Sequence, residues 1–272
     1  MQDLRQNKLW LEYCSRNGYK QVQVATKDKN KKIWGILIPL VFGLKLLKIQ
    51  RANLDPDWDE LKRVKKRNRV VSTVIEPQKV SNKREYTRNG YRQSNFPYLS
   101  TKTVVVDLRK SQDLLWSNLS ENAKRLIKKN NKTTMKEVKP EVFLELWRKN
   151  SKIWTLSIDE LKLMKDAMRG KVHFWVSYLN EAAQSGVLLV ETDDTANYFH
   201  SFTTSEGRIS GAHYKLVWEL MIREKKLGYS FFDFEGIYDK RWPQKRWLGF
   251  TEFKSKFGGK VISFPGTFHK WL

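Results

Sequence analysis

The run Phe231–Gly259, FFDFEGIYDKRWPQKRWLGFTEFKSKFGG, decides how the chain is read. It opens as a strand in which Phe232 and Phe234 alternate with Asp233 and Glu235, so both carboxylates share one strand face. A polar loop follows. A short helix near Phe250–Phe257 then carries Phe253 and Lys254, and a last strand starts at Lys260. Upstream, the spacing of Leu216 and Leu220 predicts a helix from about Gly211 to Lys226, which Gly228 ends. Before it stand three strand-like runs, Val172–Leu179, Gly186–Thr192 and Asn197–Thr204. Two short helices, around Glu141–Lys149 and Ile158–Met168, precede those.

Further back, Thr103–Leu108 reads as a strand, and Ser111 is placed to cap a helix beginning near Asp113. Leu115, Leu119, Ala123 and Ile127 recur every four positions and predict the buried stripe of that one helix. Lys124, Arg125, Lys128, Lys129 and Lys132 fall on its other side. Helix, mixed strands, helix, strand is an α/β (α+β) pattern with a mainly antiparallel sheet flanked by helices.

Residues 1–100 read as a smaller α/β unit. The apolar stretch Ile33–Ile49 is interrupted by Pro39, Gly43, Lys45 and Lys48, too short and broken to span a bilayer, and predicts two strands joined by a turn. A helix over Trp58–Arg67 and a strand over Val70–Ile75 follow. The polar segment Lys79–Thr103 reads as a connection with one short helical turn. The expected division is therefore 1–100 and 101–272.

Composition narrows the partners. The 272 residues include 11 Trp, 14 Phe and 10 Tyr, enough for real cores and against a disordered basic tail. Fifty-two Lys and Arg against 29 Asp and Glu leave a formal charge of +23, far more than solubility needs. Such a surface attracts nucleic acid, anionic lipid or phosphorylated small molecules. Cys14 is the lone cysteine, which excludes an internal disulfide and any CxxC redox or metal site. With no apolar leader at the N-terminus, a cytoplasmic protein is expected, with peripheral contact at the inner face of the membrane.

No GxSxG, P-loop or HExxH occurs, so serine-hydrolase, Walker-type and zinc-protease chemistry are not signalled, and no metal is expected. His200, mid-strand, is the histidine least easily set aside. The run Ser205–Ala212 precedes a helix and could cradle an anion on its backbone N–H groups, or be an ordinary turn. Its Arg208-x-x-Gly211-Ala212 matches part of the coenzyme-A loop of N-acetyltransferases but continues into His213. Lys124, Arg125, Lys128 and Lys129 on one helix suit a phosphodiester backbone, as do the clusters Lys62–Arg69 and Lys240–Arg246.

From Thr103 onwards the chain resembles the FemABX family, the aminoacyl-tRNA-dependent transferases that build peptidoglycan cross-bridges. Three pieces carry the likeness: DLRKSQDLLWSNLSENAKRLIKKNNK, EKKLGYSFFDFEGI and LGFTEFKSKFGG. The resemblance implies two acyltransferase units of the N-acetyltransferase (GNAT) type, the N-terminal one reduced. It sets Phe253 and Lys254 on the family's Phe-Lys pair at the reaction centre, where Lys254 either stabilises charge on the carbonyl oxygen or holds the phosphate of the terminal tRNA nucleotide. Asp233, sharing its strand face with Glu235, is an acid–base candidate. Arg208, Tyr214 and His200 are the expected substrate-binding residues. The implied reaction moves an amino acid from aminoacyl-tRNA, a co-substrate needing no other cofactor, to the stem-peptide amine of a lipid-linked or UDP-linked muropeptide. Two alternatives stay open: an acyl-CoA-dependent N-acyltransferase, and a non-catalytic RNA- or membrane-binding protein. The coiled-coil arm of some members is missing, and the first hundred residues are short for the family's first domain.

Overall fold

The computed structural model describes residues 1–28, 30–151 and 155–271. They form two compact units, one of residues 2–102, 239–244 and 263–272, the other of residues 1, 103–238 and 245–262. The sequence division placed everything after residue 100 in one unit. In the structure, 239–244 and 263–271 lie with the first unit instead.

In chain order the first unit contains α1 (Lys8–Arg16), β1 (Lys20–Ala25), β2 (Lys32–Pro39), β3 (Lys45–Gln50), α2 (Trp58–Arg67), β4 (Val70–Glu76), α3 (Lys83–Arg88) and β5 (Arg92–Gln93). The second contains β6 (Lys102–Asp107), α4 (Gln112–Ser117), α5 (Glu121–Lys129), β7 (Thr134–Glu137), α6 (Pro140–Asn150), α7 (Ile158–Ala167), β8 (Val172–Leu179), β9 (Ala182–Glu191), β10 (Thr195–Thr203), α8 (Ser205–Ser210), α9 (Ala212–Lys226), β11 (Phe231–Gly236), α10 (Leu248–Ser255) and β12 (Lys260–Ser263). Strand β13 (Phe268–Trp271) returns to the first unit.

The first sheet runs β1-β2-β3-β4-β13-β5, with β3 and β4 parallel and its other pairs antiparallel. Val24, Ile33, Leu37 and Ile49 from the sheet pack with Leu61 and Val64 of α2, all nearly water-free. Glu76, at the end of β4, is 1% exposed. Its Oε1 accepts from Tyr98 N (3.1 Å), Leu99 N (2.8 Å) and Thr267 Oγ1 (2.7 Å), and its Oε2 from Gln50 Nε2 (2.7 Å). A buried carboxylate without a cation is tolerable only when its lone pairs are filled in this way.

The second sheet runs β12-β6-β11-β10-β9-β8-β7. Its core joins Val187, Leu189, Phe232 and Phe234 to Leu216, Leu220 and Met221 of α9 and to Leu115, Ala123 and Ile127. The last three were expected on one helix. The structure breaks it in two, because Asn118 ends α4 and the Ser120 side chain caps α5 by accepting from Ala123 N. The buried stripe survives the break.

The run Ser205–Ala212 also departs from its expected form as a loop ahead of a helix. It is itself α8, closed by left-handed Gly211, and Gly207 N already donates to Thr204 Oγ1 at 2.9 Å. A Cβ on Gly207 would sit 2.0 Å from the Gln184 carbonyl oxygen, and that atom belongs to the sheet. Gly207→Ala is therefore expected to destabilise the second unit by about 2–3 kcal/mol, read as a lower urea midpoint with an unchanged slope. Among the described residues no helix is long and apolar enough to cross a membrane.

Candidate active site

The parallel strands β10 and β11 stay paired for only three residues, Thr195–Asn197 against Phe231–Asp233. Two bulges follow. On β10, Phe199 is extra between Tyr198 and His200 in the register with β9. On β11 one extra residue separates Asp233 from Gly236 in the register with β6, and Glu235 there has φ 56°. Bulges bend a strand and re-aim its side chains. Here they end the pairing of β10 with β11 and open a wedge between them.

The bulge on β11 is pinned by Asp233, which is 6% exposed. Its Oδ1 accepts from Glu235 N at 2.8 Å and from the Thr103 hydroxyl on β6. This arrangement leaves the Gly236 carbonyl to Lys254, whose Nζ donates to it at 2.7 Å. Lys254 rises from α10, is 8% exposed, and holds its ammonium 5.5 Å from the centre of the Tyr198 ring. Among the described residues Gly236 O is its one hydrogen-bond partner. Burial lowers the pKa of Lys254 to about 8, against the opposing pull of the Glu235 and Asp233 carboxylates. A lysine on a short surface helix would ordinarily be solvated, so this one is held in place at an energetic penalty.

Around it the side chains are aromatic. Phe253 packs edge-on against Tyr214 (4.8 Å) and Phe257 (5.2 Å), and lies 5.0 Å from the His213 ring. His213 is buried, which drops its pKa to about 3 and keeps it neutral. Burial raises the pKa of Tyr198, so its hydroxyl keeps its proton, and its oxygen shares a hydrogen bond with His213 Nε2 at 2.6 Å. His213 Nδ1 has no hydrogen-bond partner among the described residues. The apolar spacing of Ala212, Leu216 and Leu220 could have shown that His213 faces inward.

Thus Lys254, Phe253, Asp233 and Tyr214 come together. His200 does not join them. The Phe199 bulge turns it to the other sheet face, where it lies 4.8 Å from the Trp147 ring of α6. Arg208 is also elsewhere: exposed on α8, it bonds Thr203 O at 3.3 Å and lines a cavity of about 540 Å³ with Lys149, Asn150, Ser151, Thr203 and Ser205. On α5, Lys124 is paired with Glu121 (2.7 Å) and Arg125 with Asn122 (2.9 Å), while Lys128 lies 5.8 Å from the Trp116 ring and Lys129 is exposed. No cluster of three or more His, Cys, Asp and Glu able to hold a metal occurs among the described residues.

Two mixed sheets flanked by helices, the second split between neighbouring parallel strands, define an acyltransferase fold of the tandem N-acetyltransferase type. The fold matches that of FemX, with a TM-score of 0.79 at 14% identity over 99% of this chain and 92% of that one. It also matches L-PGS from Bacillus licheniformis (TM-score 0.56, 12% identity, 97% and 86% covered). A tandem GNAT protein from the clavulanic acid biosynthesis pathway is similar too (0.57, 10%, 89% and 79%). No curated protein sequence matches. Residues 148–272 match the FemAB family model.

Proposed function

We propose that the chain is an aminoacyltransferase that moves an amino acid from aminoacyl-tRNA to the stem-peptide amine of a peptidoglycan precursor. The observation that carries this reading is the buried ammonium of Lys254 at the wedge, inside the segment that matches the FemAB family model. The acceptor amine attacks the ester carbonyl, and negative charge collects on the carbonyl oxygen. A fixed cation in a site shielded from water stabilises that charge best. The C–N bond forms and the C–O ester bond breaks. Asp233 or Glu235 takes the amine's proton and passes it to the ribose oxygen, which leaves as a hydroxyl. No further cofactor is needed.

Lys124, Arg125, Lys128 and Lys129 are proposed to hold the tRNA backbone. Lys128→Glu with Lys129→Glu should lower tRNA affinity about tenfold at low salt and flatten the salt dependence by about two ion equivalents. The acyl-CoA alternative is weakened by α8, because Gly207 N is already engaged by Thr204. The decisive assay is transfer of radiolabelled amino acid from a mixed aminoacyl-tRNA pool onto precursor. Tight tRNA binding with no transfer of any amino acid would defeat the proposal.

A further inference from the structure

The turn between β2 and β3 projects Leu40, Val41 and Phe42, which are 41%, 72% and 87% exposed. Three consecutive large apolar side chains left in water are unusual, and here they are held rigidly. Leu40 N donates to Leu44 O at 2.8 Å and Leu44 N to Val41 O at 3.2 Å. Phe42 sits at φ 56°, a conformation that a bulky residue rarely adopts. Arg69, itself at φ 56°, straps the turn: its Nη2 donates to Phe42 O at 3.3 Å and its carbonyl accepts from Lys45 N at 3.1 Å. Backbone strain retained only to present an aromatic ring to solvent points to a use for that ring.

Cations surround the tip. The parallel pairing of β3 with β4 brings the end of α2, with exposed Lys66 and Arg67, and then Arg69, to the same end of the sheet as Lys45. Lys20, at the start of the antiparallel edge strand β1, pairs with Leu37 near the tip and shares a cavity of about 540 Å³ with Arg67. The acid lining that cavity, Glu60, is bonded to Arg63 at 2.9 Å. A nucleic acid would use the cations and leave Val41 and Phe42 exposed. Apolar side chains at the apex with Lys and Arg behind them fit a bilayer, whose anionic headgroups lie above its acyl region.

We infer that this tip docks on an anionic lipid bilayer, with Val41 and Phe42 entering the boundary between headgroups and acyl chains and the surrounding cations meeting lipid phosphates. Such docking does not depend on what the second unit transfers. The full chain should co-sediment with vesicles of mixed phosphatidylglycerol and phosphatidylcholine, and far less with phosphatidylcholine alone. Val41→Ser with Phe42→Asn should weaken that binding about tenfold. Asn tolerates the left-handed backbone, so the melting temperature should hold.

Leu227→Asp lowers the net charge, which the double variant does not, at an apolar side chain 57% exposed in the second unit, and should leave vesicle binding unchanged. An environment-sensitive dye on Phe42→Cys should shift to the blue on anionic vesicles, and the same dye on Leu227→Cys should not. Cys14 leaves the labelling to the introduced thiol, since burial pushes its pKa up to about 12. Unchanged vesicle affinity in the double variant, or no blue shift at position 42, would overturn the proposal. So would Lys66→Glu with Arg67→Glu weakening tRNA binding while vesicle binding stays intact.

Discussion

Lys254→Met is expected to lower turnover by about 10²–10³-fold while making the protein more stable by about 2 kcal/mol at pH 7. The two effects have one origin. Holding the ammonium at a pKa of about 8 costs roughly 3 kcal/mol relative to a solvated lysine, and methionine removes that burden. The Gly236 carbonyl, left without its donor, gives back about 1 kcal/mol. A lysine with a merely structural role would show the reverse: lost stability and unchanged turnover. The sign of the pH dependence follows. Between about pH 8 and the ordinary lysine range the unfolded chain keeps its proton and the folded one does not, so stability rises with pH across that window. Activity should fall across the same limb, as the oxyanion loses its cation. In Lys254→Met both trends should vanish, which urea titrations and kcat/KM profiles against pH will read.

Glu76→Ala is expected to destabilise the first unit by about 3–4 kcal/mol, seen as a lower urea midpoint. The variant strands four donors, the amides of Tyr98 and Leu99 and the Gln50 side chain, all part-buried, and the buried Thr267 hydroxyl. Glu76→Gln should cost only about 1 kcal/mol. Its new amide faces Gln50, which can turn its own amide over and accept, while the other oxygen keeps its three donors. A Gln variant as damaged as the Ala variant would show that the charge, and not the acceptor geometry, holds this corner.

Much of the second unit could be read from periodicity. The alternation of Phe232 and Phe234 with Asp233 and Glu235 placed β11, and the spacing of Leu216 and Leu220 placed α9, because side-chain direction follows the backbone repeat. The turn around Gly43 was legible because Pro39 and Gly43 interrupt the apolar run. Bulges were not. Nothing in Tyr198-Phe199-His200 signals the extra residue that sends Tyr198 and His200 to opposite faces, since that depends on what β9 offers opposite. Lys254 was visible only through its resemblance to a family pair. Among the neighbouring lysines of Phe253–Phe257, burial is decided by a Gly236 carbonyl distant in sequence. The Ser120 cap outweighed an unbroken apolar stripe, because one satisfied helix end can restart a helix without moving its buried face.

The placement of β13 bears on how the protein is made. In the first sheet, β5 pairs only with β13, and β13 separates it from β4. When Gln93 leaves the ribosome, β4 therefore presents an open edge and β5 has nothing to pair with. All of Thr103 to Phe268 must be synthesised before that gap can close. Strands β6 to β12 lie in one continuous stretch, so the unit encoded second can finish first. The unit encoded first waits with a bare strand edge, where a holdase chaperone or a temporary strand partner would find its opening.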